Sequence, residues 1–159
     1  MRGDSRYLIP AGLHRRELEV ERSRFTCTLA NAASAAEVQR VVREVSAEMT
    51  DATHHCWAFV AGPPGSTNQI GLSDDGEPHG TAGRPMLTVL MHSDVGEAVA
   101  IVTRYNGGVK LGTGGLARAY SGTVQLAQST MPRAESLRAA VLHATRGCAQ
   151  ITLGEPGAL

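Results

Sequence analysis

The chain has 159 residues, 42% of them hydrophobic but only 4% aromatic, with 15 basic and 15 acidic side chains and a formal net charge of +0. That length supports one core rather than two, and the charge balance excludes a protein that coats nucleic acid by global attraction; contact with phosphates must be local. Cys27, Cys56 and Cys148 form no C-x-x-C pair and leave an odd thiol, so they read as reduced cysteines of a cytoplasmic protein rather than a disulfide framework.

Residues 18–29 alternate between apolar and polar, with Leu18 and Val20 in one phase and Phe25, Cys27 and Leu29 in the other. The phase change at Arg22 and Ser23 predicts a bulge within one long strand. A helix follows over residues 34–49. Ser34 and Glu37 have capping-box spacing, and Val38, Val41, Val42, Val45 and Met49 share one face. Residues 54–61 read as a strand, with Cys56, Ala58 and Val60 on one side and Trp57 and Phe59 on the other. GPPGSTN is a turn, and residues 69–72 begin a returning strand.

A short helix is expected around residues 85–91, a Val- and Ile-rich strand over 98–105, and a helix over 115–129 carrying Leu116, Tyr120, Val124 and Ala127. A last amphipathic helix is expected over 135–149, with a loose tail beyond Leu153. No stretch reaches the length of a membrane span. The order predicts an α/β (α+β) two-layer sandwich, with the 34–49 and 115–129 helices together on one face of a sheet. It is read as one domain over residues 1–153 and a flexible tail at 154–159.

Two glycine-punctuated polar blocks stand out. In TRYNGGVKLGTGGLARAY, Gly107, Gly108, Gly112, Gly114 and Gly115 permit close backbone approach, and the loop opens into a helix whose free N–H groups favour an anion. Arg104, Lys110 and Arg118 add positive charge, Thr113 adds a hydroxyl, and no acidic residue interrupts the block. An anion cradle and a tight strand-to-helix connection both fit. It is not a Walker loop, because Lys110 precedes Gly112 and no Ser or Thr follows it. Gly112, Gly114 and Ala117 match G-x-G-x-x-A, but the strand ends too early for a dinucleotide turn.

In SDDGEPHGTAGRP, Asp74, Asp75, Glu77 and His79 gather three carboxylates and an imidazole. They suit acid–base chemistry or a hard cation such as magnesium; alternatively they serve recognition, or cap the following helix and pair with Arg84 or Arg104. Thr81, Arg84 and Tyr105 complete the expected recognition surface. HHCW puts His54 and Cys56 on one strand face, so Cys56 joins Asp75, Glu77 and His79 as a catalytic candidate. A zinc site lacks enough ligands, and no metal or other cofactor is expected.

Together HHCWAF, SDDGEPHGTAGRP and TRYNGGVKLGTGGLARAY resemble the successive signature segments of the IMPACT/YigZ family. The resemblance implies an N-terminal IMPACT domain with a fold like ribosomal protein S5 domain 2. It further implies a translation-linked role, since eukaryotic members bind a ribosome-associated activator of the kinase that senses uncharged tRNA. The chain departs from the family's usual pattern at Asn106, where an aromatic residue is common. About thirty residues follow the signature helix, too few for the ferredoxin-like second domain of many bacterial relatives. The resulting expectation is a non-enzymatic binding protein that recognises a ribosome- or translation-linked protein, RNA or an anionic small molecule, and no membrane. The alternative is an enzyme acting on a small anionic metabolite or peptide.

Overall fold

Residues 6–136 are the part of the chain that the computed structural model describes. In chain order they form β1 (Leu8–Pro10), β2 (His14–Val20), β3 (Ser23–Asn31), α1 (Ala35–Glu48), β4 (His54–Val60), β5 (Ile70–Ser73), α2 (Gly83–Met91), β6 (Ala98–Tyr105), α3 (Gly112–Thr130) and β7 (Arg133–Glu135). β1 pairs with β7, while the main sheet runs β2-β3-β6-β4-β5 with every neighbour antiparallel.

The phase change at residues 21–23 is a hairpin, not a bulge. Glu21 and Arg22 adopt φ of 47° and 69°, and Val20 pairs directly with Ser23. Two consecutive left-handed residues are what a two-residue type I′ connection requires, and its twist suits the flanking strands. The predicted single strand is therefore two, with β2 at the sheet edge.

α1 begins as its sequence suggests. Ser34 Oγ accepts from the Glu37 N–H at 3.1 Å, and the Glu37 carboxylate accepts from the Ala33 N–H at 2.7 Å. This is a capping box displaced by one residue. Val38, Val41 and Val45 are buried against Phe59, Val99 and Ile101. On the other side of the sheet, Phe25, Cys27, Leu29, Cys56, Ala58, Val60, Ala100 and Val102 pack under α2 and α3.

The sheet and its α2–α3 layer make the expected two-layer α+β sandwich, and α1 lies on the reverse face. The expectation that the 34–49 and 115–129 helices share a face is thus corrected. β6 explains why: its residues are buried in both phases from Ala98 to Arg104, so both faces of the central strand need cover.

α2 and α3 start two and three residues ahead of the expected ranges, so Gly112, Thr113 and Gly114 form the first turn of α3 rather than its preceding loop. Glu135 ends β7 instead of opening a helix. Ser136 after it is not helical either, and residues 137–149 of the expected helix, with the tail, lie outside the described residues. Among the described residues, no helix is long and apolar enough to cross a membrane.

Candidate functional site

The first polar block follows β5 and is held by its own carboxylates. α2 has no side-chain cap at Ala82. Asp74, eight residues upstream, supplies the missing acceptor. Its carboxylate accepts from the N–H groups of Gly83 at 2.8 Å, Ala82 at 3.1 Å and Gly80 at 2.9 Å. Burial pushes the Asp74 pKa up, but these donors, with the nearby His79, hold it below the ordinary aspartate value. Asp75 takes φ of 39° and accepts from the His55 N–H at 2.7 Å, which pins the loop to β4. The Thr81 hydroxyl is likewise internal, donating to the Pro78 carbonyl at 2.6 Å.

Glu77 enters the space between sheet and α3. One carboxylate oxygen, Oε2, accepts from Arg104 at 2.8 Å and from the Tyr120 hydroxyl at 2.5 Å. The other, Oε1, lies 3.6 Å from His54 Nε2. The side chains of Arg104 and Glu77 are 6% and 3% exposed. Ser23 Oγ accepts from Arg104 Nε at 3.3 Å and Nη2 at 3.2 Å, and the guanidinium lies 5.5 Å from the Phe25 ring centre. His54, directly across from Arg104 in the β4–β6 ladder, donates from Nδ1 to the Asp75 carbonyl at 2.7 Å, since a carbonyl only accepts. That fixes which ring nitrogen faces Glu77.

Cys56 does not fit a nucleophile. Its side chain is wholly buried, with Sγ 3.0 Å from the Asp74 carbonyl and 3.4 Å from the Tyr120 hydroxyl. Burial foremost, then the surrounding carboxylates, pushes its pKa up to about 12 against the lowering contact from Tyr120. The thiol stays protonated near neutrality, which corrects its candidacy. Burial also raises the Tyr120 phenol well above its usual value, so it is a hydrogen-bond donor here.

The second block wraps the far end of the same network. Gly107 donates to Ser23 Oγ at 3.2 Å, and a Cβ on it would clash with the Arg22 carbonyl oxygen. Only glycine permits that approach to the β2–β3 turn. Asn106 receives the Gly108 N–H on Oδ1 at 2.8 Å and donates its own N–H to Thr53 at 3.1 Å. Beyond it opens a cavity of about 400 Å³, with Glu77 and Arg104 from the buried network and Gly108, Lys110, Gly112 and Thr113 from the second block. Its apolar lining comes from Pro78, Val109, Leu111 and Leu116.

The remaining expected residues scatter. Gly115 and Arg118 line a neighbouring cleft of about 280 Å³ with Glu21, sharing Lys110 and Leu111 with the first. Gly114 is exposed in the first turn of α3. Arg84 and His79 are exposed, and no ion pair with Arg84 forms among the described residues. Tyr105 is in the opposite strand phase from Arg104. It donates to Asp51 at 3.0 Å beneath the Arg24 guanidinium, on the α1 side of the sheet.

The model of the Impact N-terminal domain matches residues 21–128. The chain belongs to the IMPACT family. It is 51% identical over 121 residues to IMPACT family member YigZ of Escherichia coli, covering 76% of this chain and 59% of that protein. Similarity to IMPACT family member YvyE of Bacillus subtilis is 44% identity over 114 residues, covering 72% of this chain and 51% of that one. A crystal structure of a hypothetical protein is 47% identical with a TM-score of 0.80, covering 83% of this chain and 64% of the other. The chain therefore spans about 59% of the length of its E. coli relative.

Every member of the buried network, from Ser23 through His54, Asp74, Glu77 and Arg104 to Tyr120, falls within the matched IMPACT domain. Sequence reasoning left Ser23, His54 and Tyr120 out of the site. In the sequence Ser23 reads as part of the expected bulge, and Tyr120 as part of the apolar stripe of α3. The usable signal for Tyr120 was a phenol on an otherwise apolar helix face, since a buried hydroxyl needs a partner.

Proposed function

We propose that this IMPACT-family chain is a translation-associated binding protein, and that its two polar blocks form one recognition surface for an anionic or ribosome-linked partner. The family supports the translation link, and the geometry supports a shared surface. The observation that carries the reading is the cavity itself, lined by both blocks above the Glu77–Arg104 pair, with Lys110 at its edge. Lys110 is exposed and has no ion-pair partner among the described residues. Asp74, Asp75 and Cys56 are all engaged in holding the fold, which favours recognition over acid–base turnover.

One contact favours the enzymatic alternative, a reaction on a small anionic metabolite or peptide. Glu77 borders the cavity and its Oε1 lies 3.6 Å from His54 Nε2, longer than a hydrogen bond but within reach of one after a small movement of either side chain.

The test is co-sedimentation of the intact chain with ribosomes across a salt series. Binding that weakens with salt, and weakens further in Lys110→Ala and Arg118→Ala, is the expected result. Absence of association at every salt concentration would overturn the ribosome-linked reading. Turnover of an anionic substrate lost in His54→Gln, with binding retained, would favour the enzyme.

A further inference from the structure

We propose that the 400 Å³ cavity is a small-molecule site for an organic ligand carrying one terminal anion on an apolar body. This rests on reading the second polar block as a recognition surface and narrows what it recognises. Three features of the cavity select that chemistry over a polyanion.

Size comes first. About 400 Å³ falls within the range of small-ligand sites, which run from roughly 300 to 1,000 Å³. A strand of nucleic acid instead needs a groove that tracks successive phosphates.

The second feature is charge. Of the two cations lining the cavity, Arg104 is neutralised by Glu77 at 2.8 Å and its remaining bonds go to Ser23. Lys110 alone is uncompensated. Arg118, the next cation along, lines the adjoining cleft beside Glu21 and does not line this one. A site with one free positive charge suits one anionic group, with Thr113 beside Lys110 as a second polar contact.

Third, the lining has an apolar part. Leu116 is buried and Val109 and Leu111 are half-buried, whereas Pro78, Lys110 and Thr113 are exposed. The uncompensated charge therefore sits at the solvent side, while Leu116 and the mutually neutralised Glu77–Arg104 pair line the buried part. A ligand matched to this gradient buries its body against Leu111 and Leu116 and leaves its anion at Lys110.

The experiment is an NMR titration of the intact chain with four probes: 1-naphthyl phosphate, inorganic phosphate, 1-naphthol and an oligouridylate dodecamer. 1-Naphthyl phosphate should shift the amides of Gly108, Gly112 and Leu116, and should bind about tenfold or more tightly than phosphate or naphthol alone. Lys110→Ala should weaken it by about tenfold, with a salt slope of about one or less. Leu111→Ala should weaken naphthyl phosphate more than inorganic phosphate, separating the apolar contact from the ionic one. Thermal unfolding of both variants checks that they fold.

Tighter binding of oligouridylate with a slope of several units would overturn the proposal in favour of a polyanion. Failure of every probe to perturb the cavity amides would overturn it as well. Ribosome association that persists without naphthyl phosphate binding sinks this proposal and spares the functional reading. Naphthyl phosphate binding without ribosome association spares this proposal and overturns the ribosome-linked part of the functional reading.

Discussion

The two glycine-rich blocks look alike in composition and differ in what their charges do. In the first, Asp74 caps α2, Asp75 holds the β4 backbone and Glu77 neutralises Arg104, so the acidic groups that look most chemical are tied into the fold. In the second, Lys110 and Arg118 face outward without ion-pair partners among the described residues. A charge in a glycine-rich loop carries no label for its role. Its role is set by whether the fold already brings it an opposite charge or a row of backbone donors.

If that contrast holds, substitutions in the first block and at its partners Arg104 and Tyr120, at the two ends of the second, should cost stability, while those at Lys110 and Arg118 should cost binding. The largest effect belongs to Arg104→Ala. It leaves the Glu77 carboxylate buried without its cation, and breaking such a pair from one side costs about 3–5 kcal/mol. Urea unfolding should show a strongly lowered midpoint with a similar slope. A midpoint near wild type would mean that Glu77 is not dependent on Arg104, and the contrast between the blocks would fail. Tyr120→Phe is the milder version. It keeps the edge-on contact with Phe25, whose ring centre lies 5.2 Å away, and removes only the hydroxyl that donates to Glu77. A hydrogen bond to a charged group is worth about 1.5–3 kcal/mol, and the same unfolding measurement should report a loss in that range.

Asp74→Ala comes next, at about 1–2 kcal/mol near neutral pH, the scale of a lost helix cap. Its pH dependence identifies the cause. The folded chain holds the Asp74 pKa below the ordinary value, so the carboxylate's contribution is fully present above the ordinary aspartate range. It disappears as pH falls through the lowered folded pKa. The variant should therefore lose less stability on acidification than wild type over that interval. Parallel acid limbs in the two proteins would show that Asp74 is not what ties the block to α2.

Much of this was legible from sequence. Ser34 and Glu37 announced α1, the alternation of Cys56 with Trp57 gave the two faces of β4, and β6 was found at its observed ends. Capping by a carboxylate and pairing with Arg104 were both open as alternatives, because short polar residues ahead of a helix have a physical reason to be there. What stayed hidden depended on contacts between distant residues. Which carboxylate of the first block meets Arg104 was not legible: it is Glu77, 27 positions away. The hairpin at Glu21 and Arg22 was obscured because neither residue is Gly or Asn, the usual occupants of left-handed turn positions. The two-sided burial of β6 was visible as an apolar run, but which helix covers which face depends on the chain path rather than on periodicity.

The smallest stability effect, and the sharpest test of the contrast, is Lys110→Ala. The side chain is exposed and forms no ion pair among the described residues, so removing it should change stability by no more than about 0.5 kcal/mol. Binding should respond very differently. If Lys110 supplies the cavity's one uncompensated charge, an anionic probe should lose about tenfold in affinity, or about 1.4 kcal/mol, and the residual binding should become nearly independent of salt. Calorimetry at two salt concentrations, beside urea unfolding of the same preparation, measures both. A destabilised Lys110→Ala would mean that Lys110, like Arg104, is needed by the fold, and the two blocks would then do the same job. A stable variant with undiminished, still salt-dependent affinity would move the anion contact to Arg118 and the adjoining cleft.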